Sequence, residues 1–435
     1  MKVFDMKVTR CLTPVFFICV FLFFLPGAVY PLSYELSESD NSEIRTQLKS
    51  LIWSPVSDLK AVPRLVYHQK EAFPKVTVDV QHTRESVYIL FINNAELGLP
   101  VYSRGSYIIK RDKQDGSFVH LKVFYRSDPY FYVRIYPEES GDTVRASMNV
   151  YVMDHLVYEH LPVNTPFEKL LTAPFSSILN ATADLVDWDL LLSDTDPALY
   201  KQSRDVVEAI RSKIPVMRDE EDGAQNSRGD FVYIETLSLQ QGPGGFNCSG
   251  FAKWVADGIY YPLSGRYLEI EDLKVKHQDV RGNRWSTRWE DARDPYFGLD
   301  WTRNIARAVK EARYPGGTYD IESSDIKELP FSPYIEDVGI PLEHLSHNMF
   351  ALAIRNPGKV YFGSVSVPRG DDPPLLQHVH VLVMIPYFEE QGRFSLAVFE
   401  RSTENTLENV ESRYPGGYIH LVSVPVGSAF TPPSF

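Results

Sequence analysis

Gln241-Gly-Pro-Gly-Gly-Phe-Asn-Cys-Ser-Gly-Phe-Ala-Lys-Trp-Val-Ala-Asp-Gly258 divides into two parts with different physical demands. The run from Gly242 to Gly245 cannot hold regular structure, because glycine loses most backbone entropy on ordering and proline removes a donor. Beyond it Phe251, Ala252, Trp254, Val255 and Ile259 recur at helical spacing. Cys248 therefore falls in the first turn of a helix. Unpaired amides there carry a partial positive charge, which favours thiolate over thiol. The same amides can hydrogen-bond an oxyanion as it forms. The glycines are expected to leave room for a substrate backbone beside the sulfur.

The rest of the chain makes this cysteine stand out. Of 435 residues only three are cysteine, too few for a disulfide scaffold. Residues 1–28 read as an export signal: Lys2, Lys7 and Arg10 precede the apolar run Val15 to Leu25, and Pro26-Gly-Ala28 closes it. That run is short for a membrane span. With Pro26 near the cut, an uncleaved anchor is the other outcome. No later stretch is long enough to cross, so no stable membrane insertion is expected beyond the leader. Cleavage would remove Cys11 and Cys19 and leave Cys248 alone, a thiol with no internal partner in an oxidising compartment. It would also move the net charge from −13 to −15, since the leader holds Lys2, Lys7, Arg10 and Asp5. An acidic chain disfavours nucleic acid as partner. At 44% hydrophobic residues the composition is that of globular proteins, which excludes disorder and fibre.

Two domains are expected. Between 50 and 160, Lys75 to Gln81, Ser86 to Ile92, Ser106 to Lys110, Ser117 to Tyr125, Tyr130 to Tyr136 and Thr143 to Met153 alternate apolar with polar residues, at the spacing of a β-sandwich. A helical linker region, 161–229, carries one helix opened by Thr165-Pro166 and running to Ile178, and another from Asp194-Thr-Asp-Pro197 to Ile214. The second shows Leu199, Val206, Val207, Ile210 and Ile214 on one face. The loop Asp219 to Gly229 is the expected boundary. From 230 to 425 the pattern is α+β: helices from Asn247 and over Asp300 to Arg313, then strands at Phe350 to Ile354, Val360 to Val367, His378 to Tyr387, Phe394 to Glu400 and Tyr418 to Val424. The pentapeptide Arg-Tyr-Pro-Gly-Gly stands at 313–317 and again at 413–417, and reads as turn chemistry.

A nucleophilic thiol needs a group that takes its proton and later protonates the leaving group. His378 and His380 lie on one strand, and a hairpin centred near residue 390 would set Glu400 opposite His380. A carboxylate there holds the imidazole's second nitrogen, the third role of a triad.

The order of cysteine at a helix start, histidine on a strand and a polar residue on the next strand resembles the NlpC/P60 superfamily of papain-like cysteine peptidases and amidases. Asn247-Cys-Ser-Gly-Phe251 is similar to that family's Asp-Cys-Ser-Gly-Leu, and His380-Val-Leu-Val-Met-Ile385 to its His-Val-Gly-Ile-Tyr strand. The resemblance implies a papain-like catalytic domain over 230–425 with Cys248 as nucleophile, His380 as base and acid, and Glu400 as orienting residue. It also implies amide hydrolysis in cell-wall peptide; the leader puts the expected location in the periplasm or outside the cell, and the thiol chemistry needs no cofactor. The chain departs from the pattern at Asn247 and Leu382. The 131 residues between Cys248 and His380 imply an insertion at about 260–344 that would wall the cleft.

Two other readings remain at this point. His344, His347, His378 and His380 with Asp371 and Asp372 are ligand types that suit zinc, although no His-Glu-x-x-His signature is present. The papain-like part could also be an inactive scaffold for binding the cell envelope. Phosphate-loop chemistry is excluded, because no Lys-Ser/Thr follows the glycines and Pro243 removes an amide.

Overall fold

A computed structural model describes residues 40–69, 75–94, 102–140, 143–277, 294–370 and 374–435. The expected leader, and Asp371 and Asp372, lie outside the described residues. The chain is α+β, and two large antiparallel sheets carry most of its strands.

Two short helices, α1 (Ser42–Gln47) and α2 (Lys49–Trp53), precede the first sheet. Its strands are β1 (Leu65–His68), β2 (Lys75–His82), β3 (Ser86–Asn94), β4 (Tyr107–Asp112), β5 (Phe118–Phe124), β6 (Tyr132–Ser140), β7 (Thr143–Val152) and β8 (His155–Val163). Each pairs antiparallel with the next, so the expected two-sheet sandwich is not formed; the strands make one meander in sequence order. Strand spacing cannot separate the two, because short turns serve both architectures. Helices supply the covering layer instead, with α3 (Phe167–Leu170) packed on β6 and β7. Ile44, Ile52 and Leu170 share the core with Val87, Ile89 and Leu121.

The expected helix from Thr165 to Ile178 is broken by Pro174 into α3 and α4 (Phe175–Ala181), since proline lacks the donor a continuing helix requires. Next comes α5 (Trp188–Leu192), where the Asp187 side chain accepts from the Leu190 amide at 3.0 Å. A 3-10 turn, Pro197–Tyr200, leads into α6 (Lys201–Lys213). Val206, Val207 and Ile210 are buried as expected, but Leu199, in the tighter turn, is exposed.

The second sheet has the order β11-β16-β12-β13-β14-β15, built from β11 (Ile340–Pro341), β12 (Lys359–Arg369), β13 (Leu375–Phe388), β14 (Phe394–Glu400), β15 (Thr403–Asn405) and β16 (Tyr418–Pro425). A separate pair, β9 (Gly223–Gln225) and β10 (Phe231–Tyr233), lies within the segment expected as a boundary and just after it. That boundary is not observed: the Phe246 amide donates to the Arg218 carbonyl at 2.9 Å, and the Glu220 amide to the Phe246 carbonyl at 3.1 Å. The expected helical linker region, 161–229, carries helices α3 to α6 and packs against the rest of the chain. Tyr200 Oη donates to the Ala353 carbonyl at 2.9 Å, Arg204 to that of Phe388 at 2.7 Å, and the Phe131 and Phe350 rings meet at 4.6 Å, joining the halves in one core.

The helices of this half are α7 (Cys248–Ser264), α8 (Ile270–Leu273), α9 (Phe297–Arg313), α10 (Leu345–Arg355) and α11 (Leu407–Arg413). The strand expected at Phe350 to Ile354 is part of α10. A short apolar run buried all round carries no period that distinguishes helix from strand. Much of the expected insertion is scaffold: α9 packs on α7, β12, β13 and β16, and Trp301 Nε1 donates to the Ser249 carbonyl at 2.9 Å. β12 and β13 are buried along nearly their whole length, as central strands covered on both faces are.

Candidate active site

Helix α7 starts where its sequence requires. Asn247 has extended dihedrals and accepts the Gly250 amide on Oδ1 at 2.7 Å, a side-chain cap that leaves Cys248 as the first helical residue. Gly250 is fixed by close approach, since a Cβ there would strike the Gly223 carbonyl oxygen of β9. Pro262 cannot donate to the Gly258 carbonyl, and the Thr431 amide of the C-terminal tail does so instead at 2.8 Å. Gly258 makes room for the Phe430 ring of that tail. The glycine-rich run does not act as the expected open space: the Gln240 side chain pins Gly245 through both its amide and its carbonyl, and Gly244 lies against Phe231.

Strand β13 brings His380 to the thiol. The β13–β14 hairpin pairs Val383 with Phe399 and Phe388 with Phe394, which centres it on residue 391, not 390. Glu400 is therefore diagonal to His380 on the same face, within reach of a long side chain. His380 Nε2 is hydrogen-bonded to Glu400 Oε2. The other carboxylate oxygen accepts from Asn405 Nδ2 and from Arg413 Nη2. Tyr414 stacks on the imidazole with centroids 5.6 Å apart. His380 Nδ1 makes no hydrogen bond of standard geometry and is the nitrogen left for Cys248. A loose contact of this kind is common in an unliganded site.

Electrostatics follow from these contacts. Burial alone would raise the Cys248 thiol, but the His380 imidazole, the Val381 amide and the Arg401 charge outweigh it and bring the thiol down to about 7. Burial would lower the His380 imidazole, and Cys248 with Glu400 more than reverse this, so it is raised. Burial likewise opposes ionisation of Glu400, yet His380, Asn405 and Arg413 hold it down at about 2. The arrangement favours a thiolate beside an imidazolium, with the carboxylate ionised behind it.

His378 is placed otherwise. A register shift between Val365 and Ser366 interrupts the β12–β13 ladder beside it. Its Nδ1 lies 2.9 Å from Ser364 Oγ and its Nε2 3.0 Å from the Asp337 carbonyl oxygen. With both nitrogens occupied and burial lowering its pKa to about 3, it stays neutral. Among the described residues the zinc reading does not assemble either: His344 and His347 neighbour each other and His155, and no metal-like group joins them to His378 or His380. Among the described residues the metal-like convergence is Glu322, Asp325 and Glu336, where Lys327 already bridges Glu322 and Glu336, and Arg303 and His420 hold Asp325.

Sequence reasoning missed Asn405, Arg413, Tyr414 and Arg401. A signal for two of them existed, because Arg413-Tyr414 opens the second copy of the repeated pentapeptide. In the first copy Arg313 reaches the Val426 carbonyl and Tyr314 is exposed.

An α+β protein with a buried Cys-His-Glu constellation is the class these features define. Residues 36–190 match a family model described as a domain of unknown function, DUF8515, which covers the first sheet and ends before α6. No curated protein and no solved structure matches the chain. Among the described residues no helix is long and apolar enough to cross a membrane.

Proposed function

We propose that the protein is an exported cysteine hydrolase of papain-like, NlpC/P60-type architecture that cleaves an amide bond, with cell-wall peptide as the substrate class. The observation that carries the reading is the thiol at the capped start of α7 beside an imidazole whose other nitrogen is held by an ionised, doubly anchored carboxylate. In this mechanism the Cys248 thiolate attacks the carbonyl carbon and its electron pair moves to oxygen. Amides of the first turn of α7 would hydrogen-bond that oxyanion. As the C–N bond breaks, His380 gives its Nδ1 proton to the leaving nitrogen, and a thioester remains. His380 then takes a proton from water, hydroxide oxygen adds to the thioester, and loss of the sulfur releases a carboxylic acid. Glu400 supports the imidazolium throughout. These steps use side chains and water.

Incubation with cell-wall fragments, followed by assay of new amino groups, tests the reading. Release by the native protein and none by Cys248→Ala is expected. Retained cleavage without the sulfur would refute the mechanism, and binding without cleavage would favour an envelope-binding role.

A further inference from the structure

Six charged side chains line a cavity of about 610 Å³ between the turn that follows β5 and the β13–β14 hairpin. Four of them pair off: Arg104 lies 3.2 Å from Asp194, and Arg393 lies 2.9 Å from Glu389. Arg126 and Asp128 are left, and among the described residues neither forms an ion pair. Phe131, Leu192 and Phe394 give the cavity an apolar wall.

Arg126 is held in place on one side only. Its guanidinium carbon lies 5.8, 5.4 and 5.7 Å from the ring centroids of Phe131, Phe350 and Phe388. Nη1 donates to the Leu191 carbonyl at 3.1 Å and to the Ser193 carbonyl at 2.9 Å. Nε and Nη2, whose N–H bonds point the same way along one edge of the group, donate to no described residue, and neither is sealed from solvent. Asp128 is arranged alike: Oδ1 accepts the Tyr130 amide at 2.9 Å, and Oδ2 accepts from no described residue.

We propose that this cavity binds a free α-amino acid with an apolar side chain, its carboxylate on the Nε–Nη2 edge of Arg126, its ammonium on Asp128 Oδ2 and its side chain against the apolar wall. Guanidinium and carboxylate match in planar, two-pronged geometry. Two opposite charges that share a cavity without pairing suit a ligand that carries both, because an anion alone leaves Asp128 unanswered and a cation alone leaves Arg126. The carbonyls and rings that fix Arg126 spare the ligand the cost of ordering it. The site is separate from the thiol: β14 runs from Phe394 in this cavity to Glu400 beside His380, a span of about 20 Å for an extended strand.

The test is titration calorimetry of the full chain with three probes of one size: phenylalanine, hydrocinnamate, which lacks the ammonium, and phenylalaninamide, which lacks the carboxylate. Phenylalanine should bind saturably, and each analogue at least about tenfold more weakly, the loss of one charge-assisted contact. Asp128→Asn should bring phenylalanine down to the level of hydrocinnamate. Arg126→Lys, which keeps the charge and loses the fork, should weaken both carboxylate ligands; the three probes decide the matter on the native protein even where that variant does not fold. No saturable binding of phenylalanine, or an analogue that binds as tightly, overturns the proposal. So does binding unchanged in Asp128→Asn. Cys248→Ala should bind like the native chain, and loss of binding there would put the ligand at the thiol and overturn the separate site.

Discussion

Removing the imidazole should unmask the cost of burying Cys248. In the intact site the thiol is brought to about 7 against a burial effect that acts upward. His380→Ala deletes the largest opposing contribution and leaves the Val381 amide and the Arg401 charge. The midpoint of Cys248 alkylation against pH should therefore move from near 7 to about 8.5–9, the range of an ordinary or buried thiol. At pH 7 the thiolate fraction falls from about one half to roughly 1–3%. The rate falls less than that fraction, because thiolate reactivity rises with pKa at a slope of about 0.4–0.5. The full profile is consequently the readout, fitted for midpoint and plateau separately. His378→Ala is the control: its partners are Ser364 and Asp337, so the midpoint should stay near 7. A midpoint unmoved by His380→Ala, or moved equally by His378→Ala, would refute the assignment of His380 as the thiol's partner.

Other perturbations probe the scaffold. Glu400 is held at about 2, so its contribution to stability is full above its unfolded value near 4.3 and is lost as pH falls through about 2; urea titrations against pH should show up to about 3 kcal/mol of it, absent in Glu400→Gln. His347 and His378 are buried and neutral with values near 3, so each should cost stability as pH falls below 6.5, about 1 kcal/mol at pH 5.5, in the same titrations. Gly250→Ala should destabilise by about 2 kcal/mol or more and loosen the thiol's setting, since β9 occupies the place of the new methyl. Truncation after Gly427 should lower the melting temperature, because it uncovers Trp254 and strips the Gly258 carbonyl of its donor.

Legibility in the sequence followed locality. The start of α7 could be read because glycines, cap and apolar period lie within eighteen residues, and β14 was read to its last residue because a Gly-containing turn sets it off. His380 and Glu400 were reachable through one hairpin, with an error of one residue in its centre. The first sheet was misjudged as a sandwich because alternation records one buried face and says nothing of what covers it. α10 was misread because burial on all sides erases the period. Asn405, Arg413 and Tyr414 reach the site through β15 and α11, short elements without a strong pattern, and α9 joins the scaffold through contacts distant in sequence.

The central claim is that Cys248 forms an acyl intermediate that His380 and Glu400 help to resolve. Time-resolved intact-mass measurement after adding a p-nitrophenyl ester tests it most directly. The account predicts an acyl adduct confined to Cys248 that appears with the burst of nitrophenol and then decays, with no adduct in Cys248→Ala and slowed formation and decay in His380→Ala. An adduct that forms as fast in His380→Ala, or one that never decays in the native protein, would contradict it.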